Sequence, residues 1–150
     1  MIRTVRPCLL GVPLLLVGLG CGKDPYKVAP VSGTVTLDGR PLANTWVTFM
    51  PVGTRESPDP GPTSSGKTDT QGRYTMAIEP GRPGAVVGKH KVAINTLGGG
   101  GDTKGDDRDA GGPRQPREKL PDVYNYKTTL TADVPAGGTE AANFELKSRP

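Results

Sequence analysis

The chain of 150 residues carries 19 Lys+Arg against 15 Asp+Glu, a formal charge of +4, and is 33% hydrophobic with 22 Gly and 16 Pro. So many turn formers among so few apolar residues exclude a helical bundle and suit an all-β domain with many turns and flexible segments. Basic residues are interleaved with acidic ones, and four Tyr, two Phe and one Trp make no basic face with stacking aromatics, so nucleic acid is not an expected partner.

Met1 to Arg6 holds Arg3 and Arg6 and no acid, and Cys8 to Gly20 is an uncharged Leu/Val-rich run that closes on Gly18, Leu19, Gly20, Cys21 and Gly22. A basic start, a short apolar run and small residues before a cut describe a secretory signal peptide. With a cysteine directly after the cut, the segment resembles the lipobox of bacterial lipoproteins. Gly20 fills the small position, while Gly18 stands where Leu is usual and Leu19 comes one place later. The resemblance implies that residues 1–20 are removed and that Cys21 is lipidated, giving a membrane anchor through an N-terminal lipid. A spanning helix needs about 20 apolar residues, and Pro7 to Gly22 holds two prolines and falls short. Cys8 leaves with the signal, so the remaining 130 residues have no disulfide and no free thiol for a metal or catalytic site. Gly22 in place of an aspartate points to the periplasmic face of the outer membrane or the cell surface.

Residues 21–30, ending in Lys23 to Pro30, are expected as a lipidated polar tether without structure of its own. Val31, Gly33, Val35 and Leu37 alternate with Ser32, Thr34 and Thr36, which predicts a half-buried strand. Asp38-Gly39 is a two-residue hairpin signal, since both residues tolerate positive φ. Thr45 to Met50 reads as a second strand with Val47 and Phe49 inward and Trp46 outward, ended by Pro51. Gly53 to Ser65 is a Pro/Gly/Ser-rich loop, Lys67-Thr68 a short strand, and Asp69 to Gly72 a turn in which the Asp side chain bonds its own downstream backbone. Tyr74, Met76 and Ile78 share one face of the next strand. Pro80 to Gly84 is a loop, and Gly88 to Thr96 alternates again with His90, Val92 and Ile94 on one side. Residues 98–119 are rich in Gly and Asp without apolar period, which predicts a disordered loop. Structure resumes at Leu120 to Tyr124, followed by strands near Thr128 to Val134 and Ala142 to Lys147. Seven short strands with no helix predict an all-β, seven-stranded β-sandwich over residues 31–147.

Two segments carry a family resemblance. Gly33, Val35, Gly39, Pro41, Leu42, Val47 and Phe49 fill the pattern G-x-V-x-x-x-G-x-P-L-x-x-x-x-V-x-F, and Thr68, Asp69, Gly72 and Tyr74 fill T-D-x-x-G-x-[YF]. With Gly84 to Ile94 (GAVVGKHKVAI) and Leu120 to Tyr124 (LPDVY), the chain resembles the carboxypeptidase-regulatory-like, transthyretin-like (prealbumin-like) domains of small bacterial lipoproteins. The resemblance implies a Greek-key topology and gives Gly33, Gly39, Asp69, Gly72 and Tyr74 a structural role. It implies little about activity.

Catalytic chemistry finds little purchase. Hydroxyisourate hydrolases, which resemble this family in fold, use several histidines, an arginine and a C-terminal Tyr-Arg-Gly-Ser; this chain has one histidine, His90, and ends Lys147-Ser148-Arg149-Pro150. His90 lacks an adjacent nucleophile or carboxylate and reads as a structural or surface residue. Asp102, Asp106, Asp107 and Asp109 offer carboxylates to calcium, but their spacing is not that of a calcium loop and Lys104 and Arg108 interrupt them, so no metal and no cofactor are expected. An intramolecular Lys–Asn bond of the adhesin type is disfavoured, because Asn143 on the last strand faces a first strand without lysine. Trp46 is a candidate ligand contact, since an exposed indole stacks on sugar rings. The expected function is a non-enzymatic, lipid-anchored cell-envelope module, structural or binding an envelope protein or glycan. The alternative is a carbohydrate- or ligand-binding accessory module of an exported enzyme system.

Overall fold

The computed structural model describes residues 26–55, 58–78, 81–97 and 118–149. Residues 1–25, with the expected signal peptide and Cys21, lie outside this set, as do 98–117.

The chain enters as β1 (Val28–Ala29) and passes through Val31 into β2 (Ser32–Leu37). Alternation in β2 buries Gly33 and Val35 and leaves Ser32, Thr34 and Thr36 partly exposed. Asp38 and Gly39 take φ of 50° and 79°, the double positive φ of a type I′ turn, and return the chain as β3 (Arg40–Pro41). Strand β4 (Trp46–Pro51) buries Val47 and Phe49 and pairs with β5 (Ser64–Lys67). The next extended run is broken into β6 (Arg73–Thr75) and β7 (Ala77–Ile78). After β8 (Arg82–Pro83) and β9 (Ala85–Val86) comes the longest strand, β10 (Gly88–Asn95); a 3₁₀ turn (Asp122–Tyr124), β11 (Thr131–Val134) and β12 (Phe144–Leu146) complete the described fold.

These strands form two larger sheets and the two-stranded pair of β1 with β9. One runs β11-β10-β4-β5-β7-β8; the other has β2 at its centre, with β12 parallel on one side and β3 and β6 antiparallel on the other. Val35, Tyr74, Phe144 and Leu146 of the second sheet join Val47, Phe49, Val92, Ile94 and Val134 of the first in one buried cluster. The architecture is a β-sandwich-like, all-β packing.

Several expectations change in detail. Twelve short strands stand among the described residues where seven were expected: β1, β3, β8 and β9 are additional, and β5 (Ser64–Lys67) starts inside the expected Gly53 to Ser65 loop and shares only Lys67 with the expected Lys67-Thr68 strand. The strand expected through Tyr74, Met76 and Ile78 is not continuous. Its first half pairs with β2 and its second with β5, so the chain changes sheets at the fully buried Met76. Thr68 is not strand but clasp: its hydroxyl accepts from Thr45 N at 2.9 Å and its N–H donates to Thr45 O at 2.8 Å. The Pro80 to Gly84 loop contains β8, which pairs with β7. Leu120 to Tyr124, where structure was expected to resume without a helix, includes a 3₁₀ turn.

The tether is corrected most. Val28 and Ala29 pair with Val86 and Ala85, and Ala29 is buried. Short apolar side chains at both positions let two residues add to an edge that the composition of Lys23 to Pro30 does not advertise. At the other expected disordered segment, Glu118 and Lys119 are ordered. The Glu118 carboxylate accepts from the backbone N–H groups of Thr96, Leu97, Lys119 and Leu120 and from the Thr96 hydroxyl at 2.7 Å.

Candidate functional site

The motif residues build a corner at the rim of the second sheet. Asp69 Oδ1 accepts from Gln71 N at 2.8 Å and Arg73 N at 2.9 Å, and Oδ2 from Arg73 Nε at 3.2 Å. The Arg73 N–H bond, aided by the Gln71 N–H and the guanidinium, holds the carboxyl below its ordinary range. Gly72 closes the turn at φ 72°, and its carbonyl accepts from Val35 N at 2.8 Å. Gly33 is the partner of Tyr74 in the ladder. Without a side chain there, the phenol crosses β2 and donates to Ala142 O at 2.6 Å. Burial pushes the Tyr74 phenol pKa up, so it stays a neutral donor. Gly33, Gly39, Asp69, Gly72 and Tyr74 therefore all do backbone work.

That corner shapes a surface. On the outer side of the second sheet Ser32 stands beside Thr75 and Thr34 beside Arg73. Together with Lys67, Asp69 and Glu140 they line an open trough of about 680 Å³. It continues past Ser32 and Thr75 into a hollow of about 350 Å³ bounded by Pro30 and the Gly137–Glu140 turn. Lys67 also sits 6.0 Å from the Trp46 ring centroid, its Cα partner across β4 and β5. Trp46 is half-buried, so the candidate ligand contact lies at the margin of the trough, not on its floor. Hydroxyls, two cations and two carboxylates in one concave strip can donate and accept along a polar, hydroxyl-rich ligand.

No known protein family, curated protein or solved structure matches this chain.

His90 is buried on β10, its ring 5.3 Å from that of Phe49. Nε2 lies 2.7 Å from Val86 O, which accepts its proton and so makes Nδ1 the bare nitrogen; Nδ1 is buried without a partner. Desolvation lowers its pKa, against smaller opposing effects of the Val86 carbonyl and Asp133. The ring is sealed in the core and faces none of the trough residues. Asn143 Oδ1 accepts from both N and Oγ1 of Thr34 at 2.9 and 3.0 Å, plugging the ladder between β2 and β12. Among the described residues no cluster of three His, Cys, Asp or Glu is placed to hold a metal ion. Asp102, Asp106, Asp107, Asp109 and Cys21 lie outside the described residues.

The sequence reading did not single out Lys67, Arg73 or Glu140, because nothing in their spacing shows that a sheet change at Met76 brings β5 beside β6. It also passed over Tyr126, which is 67% exposed with the Lys127 ammonium 5.6 Å from its ring.

Proposed function

We propose that the chain is an exported, lipid-anchored β-sandwich of the transthyretin-like, carboxypeptidase-regulatory-like type, with a seven-stranded Greek-key core. Cys21 carries the lipid and holds the domain at the bacterial envelope, on the periplasmic face of the outer membrane or the cell surface. Its work is non-enzymatic: it is a structural module that engages an envelope protein or glycan. The observation that carries this reading is the polar trough over β2 and β6, whose alternating hydroxyls and opposed charges suit a partner rich in hydroxyl and amide groups. Such a surface gives orientation and specificity more than raw affinity.

The test uses membrane-extracted wild type and an Arg73→Glu, Lys67→Glu variant on a glycan array and in affinity capture. A ligand or partner lost in the variant supports the trough; retention of every interaction by the variant overturns it. A second reading, a carbohydrate-binding accessory module of an exported enzyme system, draws on the half-exposed Trp46 beside Lys67. Glycan binding by wild type that Trp46→Ala abolishes would favour it. The anchor itself is tested by acyl mass and by Cys21→Ser, which should leave the membrane fraction.

A further inference from the structure

Tyr26 and Lys27 are not a loose leash. The Tyr26 hydroxyl donates to Asp59 Oδ2 at 2.6 Å, and a Cβ on Gly61 would lie 2.8 Å from the Tyr26 ring, so the ring packs flat on the loop after β4. Val87 N donates to Lys27 O at 2.8 Å, and β1 pairs with β9 immediately afterwards. The chain is thus gripped from Tyr26 onward. Four residues lie between Cys21 and Tyr26, and the five Cα–Cα steps can span at most about 18 Å. A lipid on Cys21 would therefore present one particular end of the sandwich to the bilayer.

That end has a composition of its own. Val52 N donates to Lys89 O at 2.9 Å, two residues from the Val87 that holds Lys27. Val52 is 52% exposed, one of two large hydrophobic side chains so exposed among the described residues. Lys89, bonded to Val52 through its backbone, is exposed, as are Arg55, three residues on from Val52, and Lys27, bonded to Val87 two residues before Lys89. Among the described residues, the acids tied to this end are Asp59, engaged by Tyr26 and by Gly61 N, and Asp133, the ladder partner of Lys89. The far end carries the Asp38-Gly39 hairpin and the Asp69–Gly72 turn, at the other extreme of β2.

Resting on the reading of Cys21 as a lipid anchor, we propose that the Lys27, Val52, Arg55 and Lys89 surface is a membrane-docking face for anionic lipid headgroups. The anchor supplies localisation; the cations supply orientation. Each cation near an anionic surface is worth about fivefold in population, and Val52 enters the headgroup layer between them. Docking in this way stands the sandwich on its Tyr26 end and keeps the Asp38-Gly39 tip outward.

The acylated protein contains no free thiol once Cys8 is removed and Cys21 is modified, so a single fluorophore can be placed at Gly53→Cys or at Gln71→Cys. Each labelled protein is reconstituted in vesicles containing headgroup-spin-labelled lipid, with phosphatidylglycerol or with phosphatidylcholine alone. The expected result is quenching several-fold stronger at position 53 than at 71 in anionic vesicles. Neutral vesicles, or Lys27→Glu with Lys89→Glu, should remove most of that difference. Equal quenching at both positions, or a preference indifferent to lipid charge, in protein whose mass shows the acyl chains overturns the docking face alone. Protein without acyl mass overturns the anchor and the docking face together.

Discussion

Replacing Gly33 with alanine tests the central contact of the second sheet. A Cβ at this position would lie 2.0 Å from Ala142 O and 2.5 Å from Ala142 C, both backbone atoms that cannot swing aside. Relief requires β2 and the 139–142 segment to part, and overpacking of this kind costs about 1–3 kcal/mol. The same movement breaks the Tyr74 hydrogen bond to Ala142 O, for about 1 kcal/mol more. Reduced freedom of the unfolded chain returns about 0.4–1 kcal/mol. The net expectation is about 1–3.5 kcal/mol, or a Tm lower by roughly 4–14 °C for a domain of this size. Gly39→Ala is the control: it has φ 79° but nothing within 4 Å, so it pays only the left-handed backbone strain of roughly 1 kcal/mol. Urea and thermal denaturation of Gly33→Ala, Tyr74→Phe and the double variant complete the measurement. Because both single changes act on Ala142 O, their effects should fall short of additive. A Gly33→Ala protein within about 0.5 kcal/mol of wild type, or losing no more than Gly39→Ala, would refute the reasoning.

Three further outcomes follow from the same structure. His90 has a folded-state pKa below its ordinary 6.5, so the unfolded chain takes up its proton first. Its contribution is fully present above about pH 6.5 and lost as pH falls towards the depressed value, so urea midpoints should drop between pH 7 and 5 in wild type and stay flatter in His90→Leu. Glu118→Gln should destabilise by about 2 kcal/mol, the scale of a charge-assisted hydrogen-bond cluster. Burial alone would raise the Glu118 pKa, but the donors at Thr96, Leu120 and Leu97 outweigh it and hold it below 4.5, so the clasp is present above that pH and lost as pH falls below it; a Glu118→Gln difference that persists unchanged at pH 3 would contradict this. Asp69→Ala should cost about 1 kcal/mol by stripping the Gln71 and Arg73 N–H groups of their acceptor, read by chemical denaturation, with Asp69→Asn recovering part of it.

Local signals carried most of the sandwich. Period-2 alternation marks β2, β4 and β10, since each buries one face only, and Asp38-Gly39 marks its hairpin because φ there must be positive twice. Gly33 and Tyr74 were legible as motif residues, but their partnership was not: it joins β2, β6 and Ala142, the last of which lies 68 residues from Tyr74 along the chain. The same limit hides the trough. Lys67 and Arg73 meet only because the chain crosses between sheets at Met76, and a buried Met within an apolar alternation looks the same whether the strand continues or breaks. In β1, two residues of small apolar side chain gain their meaning from β9, over fifty residues later. Trp46 was placed on the outward face correctly, yet its Lys67 neighbour comes from strand register and not from sequence spacing.

The entry segment ties these features into one load path. Lys27 O holds Val87, Pro30 O holds Thr139 N, Thr139 O holds Ser32 N, and Val31 O holds Met76 N, all at 2.8–2.9 Å. Four parts of the chain distant in sequence therefore lean on residues 27–31 or on Thr139 beside them: Val87 just after β9, the 139–142 segment that accepts Tyr74, the start of β2, and the sheet change at Met76. A pull on the proposed anchor would reach the Lys27–Val87 bond and the β1–β9 pair first and these further bonds after them. The trough begins at the same place, with Pro30 and Val31 lining its lower hollow. Displacing the entry segment would thus deform the lower trough directly, through Ser32 and Thr139, while leaving the β4–β10 ladder intact. Pro30, Val31 and Ser32 thus belong at once to the entry segment and to the lining of the lower trough.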